Sequence, residues 1–192
     1  MEARGDGGGT LRLAAGAGAL VTDLSFSGAP SHLTEQSLSA SASWALNPRW
    51  TLLGGAGALL GGGLGGASLS AGALAFAGAS VRVLAPDGAV PLLAIAATLS
   101  ALHAGLAAGS LTSLDGKLSV TAAWPIARRF APYLTAAVFG GPVWAGGNTG
   151  SDRYHYEAIV GLAVVLPRGL DLFVEGSPVG AQTLSGGLGF TY

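Results

Sequence analysis

Residues 37 to 47 read SLSASASWALN. Leu38, Ala40, Ala42, Trp44 and Leu46 fall on one parity, and Ser37, Ser39, Ser41, Ser43 and Asn47 on the other. Only a β-strand turns successive side chains to opposite faces, so a period of two fixes the element type. The pattern returns in DGKLSVTAAWPI, where Leu118, Val120, Ala122, Trp124 and Ile126 oppose Asp115, Lys117, Ser119 and Thr121. At the C-terminus Leu184, Leu188, Phe190 and Tyr192 oppose Thr183, Ser185 and Thr191. A helix would scatter all of these around its circumference.

Two stretches free of Asp, Glu, Lys and Arg, Thr51 to Val81 and Gly88 to Leu114, are long enough for membrane helices of about 20 residues. Glycine argues against that reading. The chain has 33, with GGAGALLGGGLGG inside the first stretch, and each interior glycine costs a helix about 1 kcal/mol relative to alanine. Pro86 and Pro91 bound the second stretch. The alternation predicts ten strands instead: 10–22, 37–47, 50–61, 69–84, 89–103, 112–126, 130–144, 153–166, 169–177 and 182–192. Eight is the alternative if two short hairpins are loop extensions. Short connections at 47–49, 85–88, 127–129 and 167–169 interleave with longer ones, of which 23–36 is the longest, followed by the small polar segment 145–152.

Only 10% of the residues are charged, against about 25% in soluble domains. That is too little to clothe a water-facing surface. The formal net charge of −1, with no basic block, leaves no electrostatic footprint for nucleic acid. Cysteine is absent and His32, His103 and His155 lack metal-ligand spacing, so no metal, cofactor or disulfide is expected. The expectation is an all-β, closed, up-and-down antiparallel transmembrane barrel over 10–192, preceded by a flexible segment 1–9 in which no export signal is visible. Both termini then lie on the short-turn, periplasmic rim.

Aromatic placement agrees with two lipid interfaces. Trp44, Trp50, Trp124, Phe130, Phe190 and Tyr192 fall beside the predicted short-turn rim, and Trp144, Tyr154 and Tyr156 on the opposite one. Trp and Tyr join an apolar body to a polar edge, which suits headgroup depth. The final octet SGGLGFTY resembles the assembly signal of bacterial outer-membrane β-barrel proteins, with Ser185, Gly187, Phe190 and Tyr192 in register. The resemblance implies an outer-membrane location, a signal peptide already removed, membrane lipids around the barrel, and the barrel assembly machinery as a partner during biogenesis. A monomer is expected.

The opposite parity sorts lumen residues. Arg12, Arg82, Asp171 and Glu175 are expected inside toward the short-turn half or midplane, and Asp115, Lys117, Arg153, His155 and Glu157 toward the loops. Lys117 is expected to meet Glu157, or Arg153 to meet Asp115. Balanced signs suit ion pairs that fill the lumen rather than a selective constriction. The expected function is a non-enzymatic barrel, either a narrow passive channel or a plugged structural one. Two other classes compete. One is a lipid- or peptide-hydrolysing barrel using Ser119, His155 and Glu157; no strained nucleophile motif supports it, and no catalytic residue is assigned. The other is surface binding through 23–36, with Phe26, His32 and Glu35.

Overall fold

The computed structural model describes residues 9–107, 109–127 and 129–192; the expected flexible segment 1–9 lies, but for Gly9, outside them. The strands are β1 (Leu11–Phe26), β2 (Ala29–Ala45), β3 (Trp50–Leu64), β4 (Ala67–Leu84), β5 (Leu92–Leu106), β6 (Gly109–Ala123), β7 (Phe130–Gly140), β8 (Pro142–Ala145), β9 (Asn148–Asp152), β10 (Tyr156–Val165), β11 (Leu170–Gly180) and β12 (Gln182–Thr191). All ladders are antiparallel, and β12 pairs with β1 from Arg12↔Thr191 to Val21↔Gln182, which closes the barrel. Among the described residues no helix is long and apolar enough to cross a membrane.

The wall closes twice. Toward the termini the ring runs through β1 to β7 and then β10, β11 and β12, ten strands in all. Toward the hairpins β6 passes from β7 to β8, and β1 passes from β12 to β9 through Leu24↔Asp152, Ser25↔Ser151 and Phe26↔Gly150. The ring there is β1 to β6 with β8 and β9, eight strands. The expected ten strands form the ring toward the termini; the ring of eight comes from β8 and β9, not from hairpins acting as loop extensions.

The expected run 130–144 is divided at Gly141, where a Cβ would collide with the carbonyl oxygen of Leu114. The chain bends there and continues as β8. The expected loop 145–152 is a tight turn at Gly146 and Gly147 followed by β9. The expected long loop 23–36 is likewise strand on both sides of a two-residue turn at Ser27 and Gly28. Turn lengths are thus the reverse of the expectation: the longer connections, such as 85–91 and 124–129, lie on the rim that holds the termini.

The reason lies in strand length. β1 to β6 run 15 to 18 residues, whereas a tilted strand crosses a bilayer in about 9–11. Along the crossing portion the outward face is apolar, as in Leu13, Leu38, Leu118 and Val120. Toward the hairpins the code inverts. Asp23, His32, Gln36, His103 and Thr112 take the outward positions, while Leu24, Leu33, Leu59, Leu64, Leu69, Ala104, Leu111, Val143 and Ala145 form one buried cluster inside. Hydrophobic inside and polar outside is the rule for a sheet in water. The eight-stranded part is built as a small water-facing barrel on top of a lipid-facing one.

The short β11–β12 hairpin ends at the junction between the two rings. Gly180 has φ +78°, and a Cβ on it would strike the carbonyl oxygen of Tyr156. Gly180→Ala is expected to lose at least about 1–2 kcal/mol from the left-handed backbone alone, read as a lower urea midpoint in micelles and a smaller heat-modifiable gel shift.

Candidate functional site

The lumen of the ten-stranded part holds paired charges. Arg12 on β1 reaches across β12 to Asp171 on β11, donating from Nε to Oδ2 at 2.9 Å and from Nη2 to Oδ1. The intervening inward residue is Gly189, where a Cβ would press on both side chains. Arg12 also lies 5.9 Å from the ring centre of Phe173, and that ring lies across Gly16 and Gly187. Phe76 over Gly55 and Tyr133 over Gly161 repeat the arrangement. At Gly16, Gly187, Gly55 and Gly161 a neighbouring ring occupies the place of a side chain, so these glycines do not widen the lumen.

At midheight Tyr133 Oη donates to Glu175 Oε2 at 2.6 Å, and Ser185 Oγ donates to Glu175 Oε1 at 3.0 Å. Thr121 and Thr135 are joined at 2.8 Å. Nearer the junction Lys117 Nζ meets Glu157 Oε1 at 2.6 Å, and the Glu157 side chain is only 3% exposed. This is the expected pair. The alternative pair is not formed. Asp152 is buried and inward, so the next residue, Arg153, is exposed and stacks over the ring of Tyr154 at 5.8 Å. Strand parity reverses between β9 and β10: Asp152 and Glu157 both point inward although one number is even and the other odd. One parity carried from 153 to 166 therefore fits Glu157 and misplaces Arg153, and His155, in the irregular segment before β10, is exposed.

Arg82 lies exposed near the rim of the termini. His155 has Nδ1 3.2 Å from the Phe139 carbonyl oxygen and packs against Gly140. With His155 so placed and Glu157 taken by Lys117, the structure does not assemble Ser119, His155 and Glu157 into a hydrogen-bonded series. Glu35, expected in a loop, is on β2 opposite Leu20 and shares its face with the buried Leu33. Sequence reasoning missed Glu35, Asp152 and Tyr133 as lumen residues. An extended parity count finds Glu35, and the parity that turns Phe130 and Leu134 outward places Tyr133 inside; Asp152 carries no such signal, because it sits before the parity break.

Of the rim aromatics, Trp44, Trp50, Phe130 and Tyr192 are exposed toward the rim of the termini, with Trp124 and Phe190 half-buried. Phe190 packs edge-on to Tyr192 at 4.7 Å. Trp144 and Tyr156 are exposed on the other side, and Tyr154 stands edge-on to Tyr156 at 6.4 Å. Ser185 and Gly187 face inward on β12, the former on Glu175 and the latter under Phe173.

No family model matches the chain, and no curated protein does. Solved structures do. The β domain of the Bordetella autotransporter BrkA is similar over 94% of this chain and 99% of that one, with TM-score 0.54 and 13% identity. The outer membrane protease OmpT of Escherichia coli is similar over 96% of each chain, with TM-score 0.52 and 11% identity. An outer membrane channel of Pseudomonas putida F1 is similar over the whole of both chains, with TM-score 0.50 and 8% identity. A translocator domain, a protease and a channel share the architecture, so the likeness speaks for fold alone. The chain has the fold of the bacterial outer-membrane β-barrels.

Proposed function

We propose that this chain is a non-enzymatic barrel of the bacterial outer membrane whose lumen is sealed, a structural barrel rather than a passive channel. The observation that carries the reading is the inward cluster around Leu24, Leu59 and Leu111, each at most 1% exposed, which fills the eight-stranded ring. An eight-stranded barrel has an interior just wide enough for side chains to fill. Water or a polar solute crossing it would have to part a packed apolar core. The ion pairs below, Arg12 with Asp171 and Lys117 with Glu157, narrow the approach further.

Outer-membrane lipids around the barrel and the assembly machinery during biogenesis are the partners this reading includes. The rim aromatics and the terminal SGGLGFTY support them. Export behind a signal peptide belongs to the same reading. The protein refolded into micelles and added to a planar lipid bilayer is expected to give no discrete conductance steps, although it migrates as a folded barrel in an unheated gel. Regular unitary steps from the unaltered chain would sink the sealed-lumen reading and restore the channel.

A further inference from the structure

Directly beneath the apolar cluster lies a group of oxygens for which the protein supplies no partner. Asp115 Oδ1, Asp152 Oδ2 and Thr22 Oγ1 are buried, and none has a hydrogen-bond partner among the described residues. Asp152 is 8% exposed and Thr22 is 7%. A carboxylate or hydroxyl shut away from water without a partner costs several kcal/mol or more, so three in one place require a common explanation.

They are in one place because of the second closure of the wall. The ladder Pro142↔Ser151 brings Gly141 level with Asp152, and a Cβ on Gly141 would press on the backbone of Leu114 and Asp115. Asp115 on β6 and Asp152 on β9 therefore flank a position with no side chain, and their carboxyl groups lie within hydrogen-bonding reach of each other. Thr22 comes from the next strand, β1, on the inward parity, one row from Leu24, which pairs with Asp152. Glu35, on the far side of β1, adds its charge to both aspartates. Of the nearby basic groups, Lys117 is bound to Glu157 and Arg153 points outward over Tyr154, which leaves His155, held on the Phe139 carbonyl oxygen, as the one whose influence reaches Asp152.

We propose that Asp115, Asp152 and Thr22 form a binding site for a hard divalent cation of the calcium type, seated at the base of the apolar cluster. Such ions take oxygen ligands, carboxylates and hydroxyls among them, and complete their shell with water. Two carboxylates balance the charge of one divalent ion, and Glu35 adds attraction without needing to be a ligand. At the junction where β1 leaves β12 and meets β9, a cleft of about 380 Å³ opens on the outer surface, lined by Asp23, His32, Tyr154, Tyr156 and Gln182, and it reaches Thr22. The cation enters from outside the membrane and does not cross the lumen, so the site is independent of whether the barrel conducts.

Isothermal titration of the refolded, chelator-treated full chain with calcium chloride, repeated with magnesium chloride, tests the site. One calcium per chain is expected, with magnesium weaker, and with a rise in thermal midpoint that a chelator reverses. Asp115→Asn with Asp152→Asn is expected to abolish the binding. Thr22→Val, which keeps the shape and deletes one oxygen, is expected to weaken it about tenfold, and it serves if the double variant does not fold. Absence of binding at millimolar calcium would overturn the proposal and leave a proton shared by the two aspartates. Binding unchanged in the double variant, or in Thr22→Val if the double variant cannot be folded, would overturn it as well.

Discussion

Alanine at both Leu59 and Leu111 is expected to turn a silent barrel into a conducting one. The two leucines are 0% and 1% exposed and belong to one cluster, contributed by β3 and β6. Removing a buried leucine side chain costs about 2–5 kcal/mol, more where the surroundings cannot collapse into the space. A closed ring of strands collapses poorly, because each strand is tied to two neighbours, so values near the upper end are expected. The urea midpoint in micelles should fall steeply, and a planar bilayer should show discrete steps where the unaltered protein gives none. Leu188→Ala, on the lipid-facing side and 57% exposed, is the control: it should change neither reading appreciably. A folded double variant that stayed silent would mean that the barrier to ions lies lower, among the paired charges.

Lys117→Met is expected to be the most damaging single change among the lumen charges. It leaves Glu157 with its side chain 3% exposed and without the ammonium that lies 2.6 Å away. Stranding a buried charge costs about 3–5 kcal/mol; the lysine is itself 41% exposed, so about 3 kcal/mol is the better expectation. The remedy identifies the cause. Adding Glu157→Gln should recover most of the loss, because a neutral amide no longer needs a counter-charge. If the double variant is as unstable as the single one, packing of the lysine stem against Phe139, 5.8 Å from the ammonium, is what the substitution removed.

The lipid-crossing part of this fold was legible because one rule governed it. Between Leu38 and Trp44, or Leu118 and Ala122, apolar means outward, and the strands and the Lys117–Glu157 pair follow from counting by two. The rule failed where the solvent changes. Beyond about Val21, apolar means inward, so DLSFSGAPSHLTEQ, with Leu24 and Leu33 inside and Asp23 and His32 outside, presents the opposite code and reads as a polar loop. Gly28 and Pro30 are turn-type residues, and Gly28 serves a two-residue turn. The rule failed again at Arg153, where an irregular segment between β9 and β10 resets the count; across the bend at Gly141 it holds, with Ala137 and Val143 both inward. No single residue there announces a second partner for β1. The acidic group was hidden for the same reason: Asp115 and Asp152 are 37 positions apart in numbering and become neighbours only through the eight-stranded closure.

That closure also bears on how the chain can be assembled and taken apart. The seam of a simple barrel is held by its first and last strands, and whatever frees the last strand opens the whole cylinder. Here β12 holds β1 only as far as Val21↔Gln182, and beyond it the hold passes to β9, from the interior of the chain. A seam unzipping from the terminal rim meets a joint that the final strand does not control. A polypeptide that has not yet docked β11 and β12 already possesses the partners for a complete ring at its outer end. Cylinder formation is thus divided between two events far apart in chain order, and the second adds a wider tier beneath a ring that can close without it.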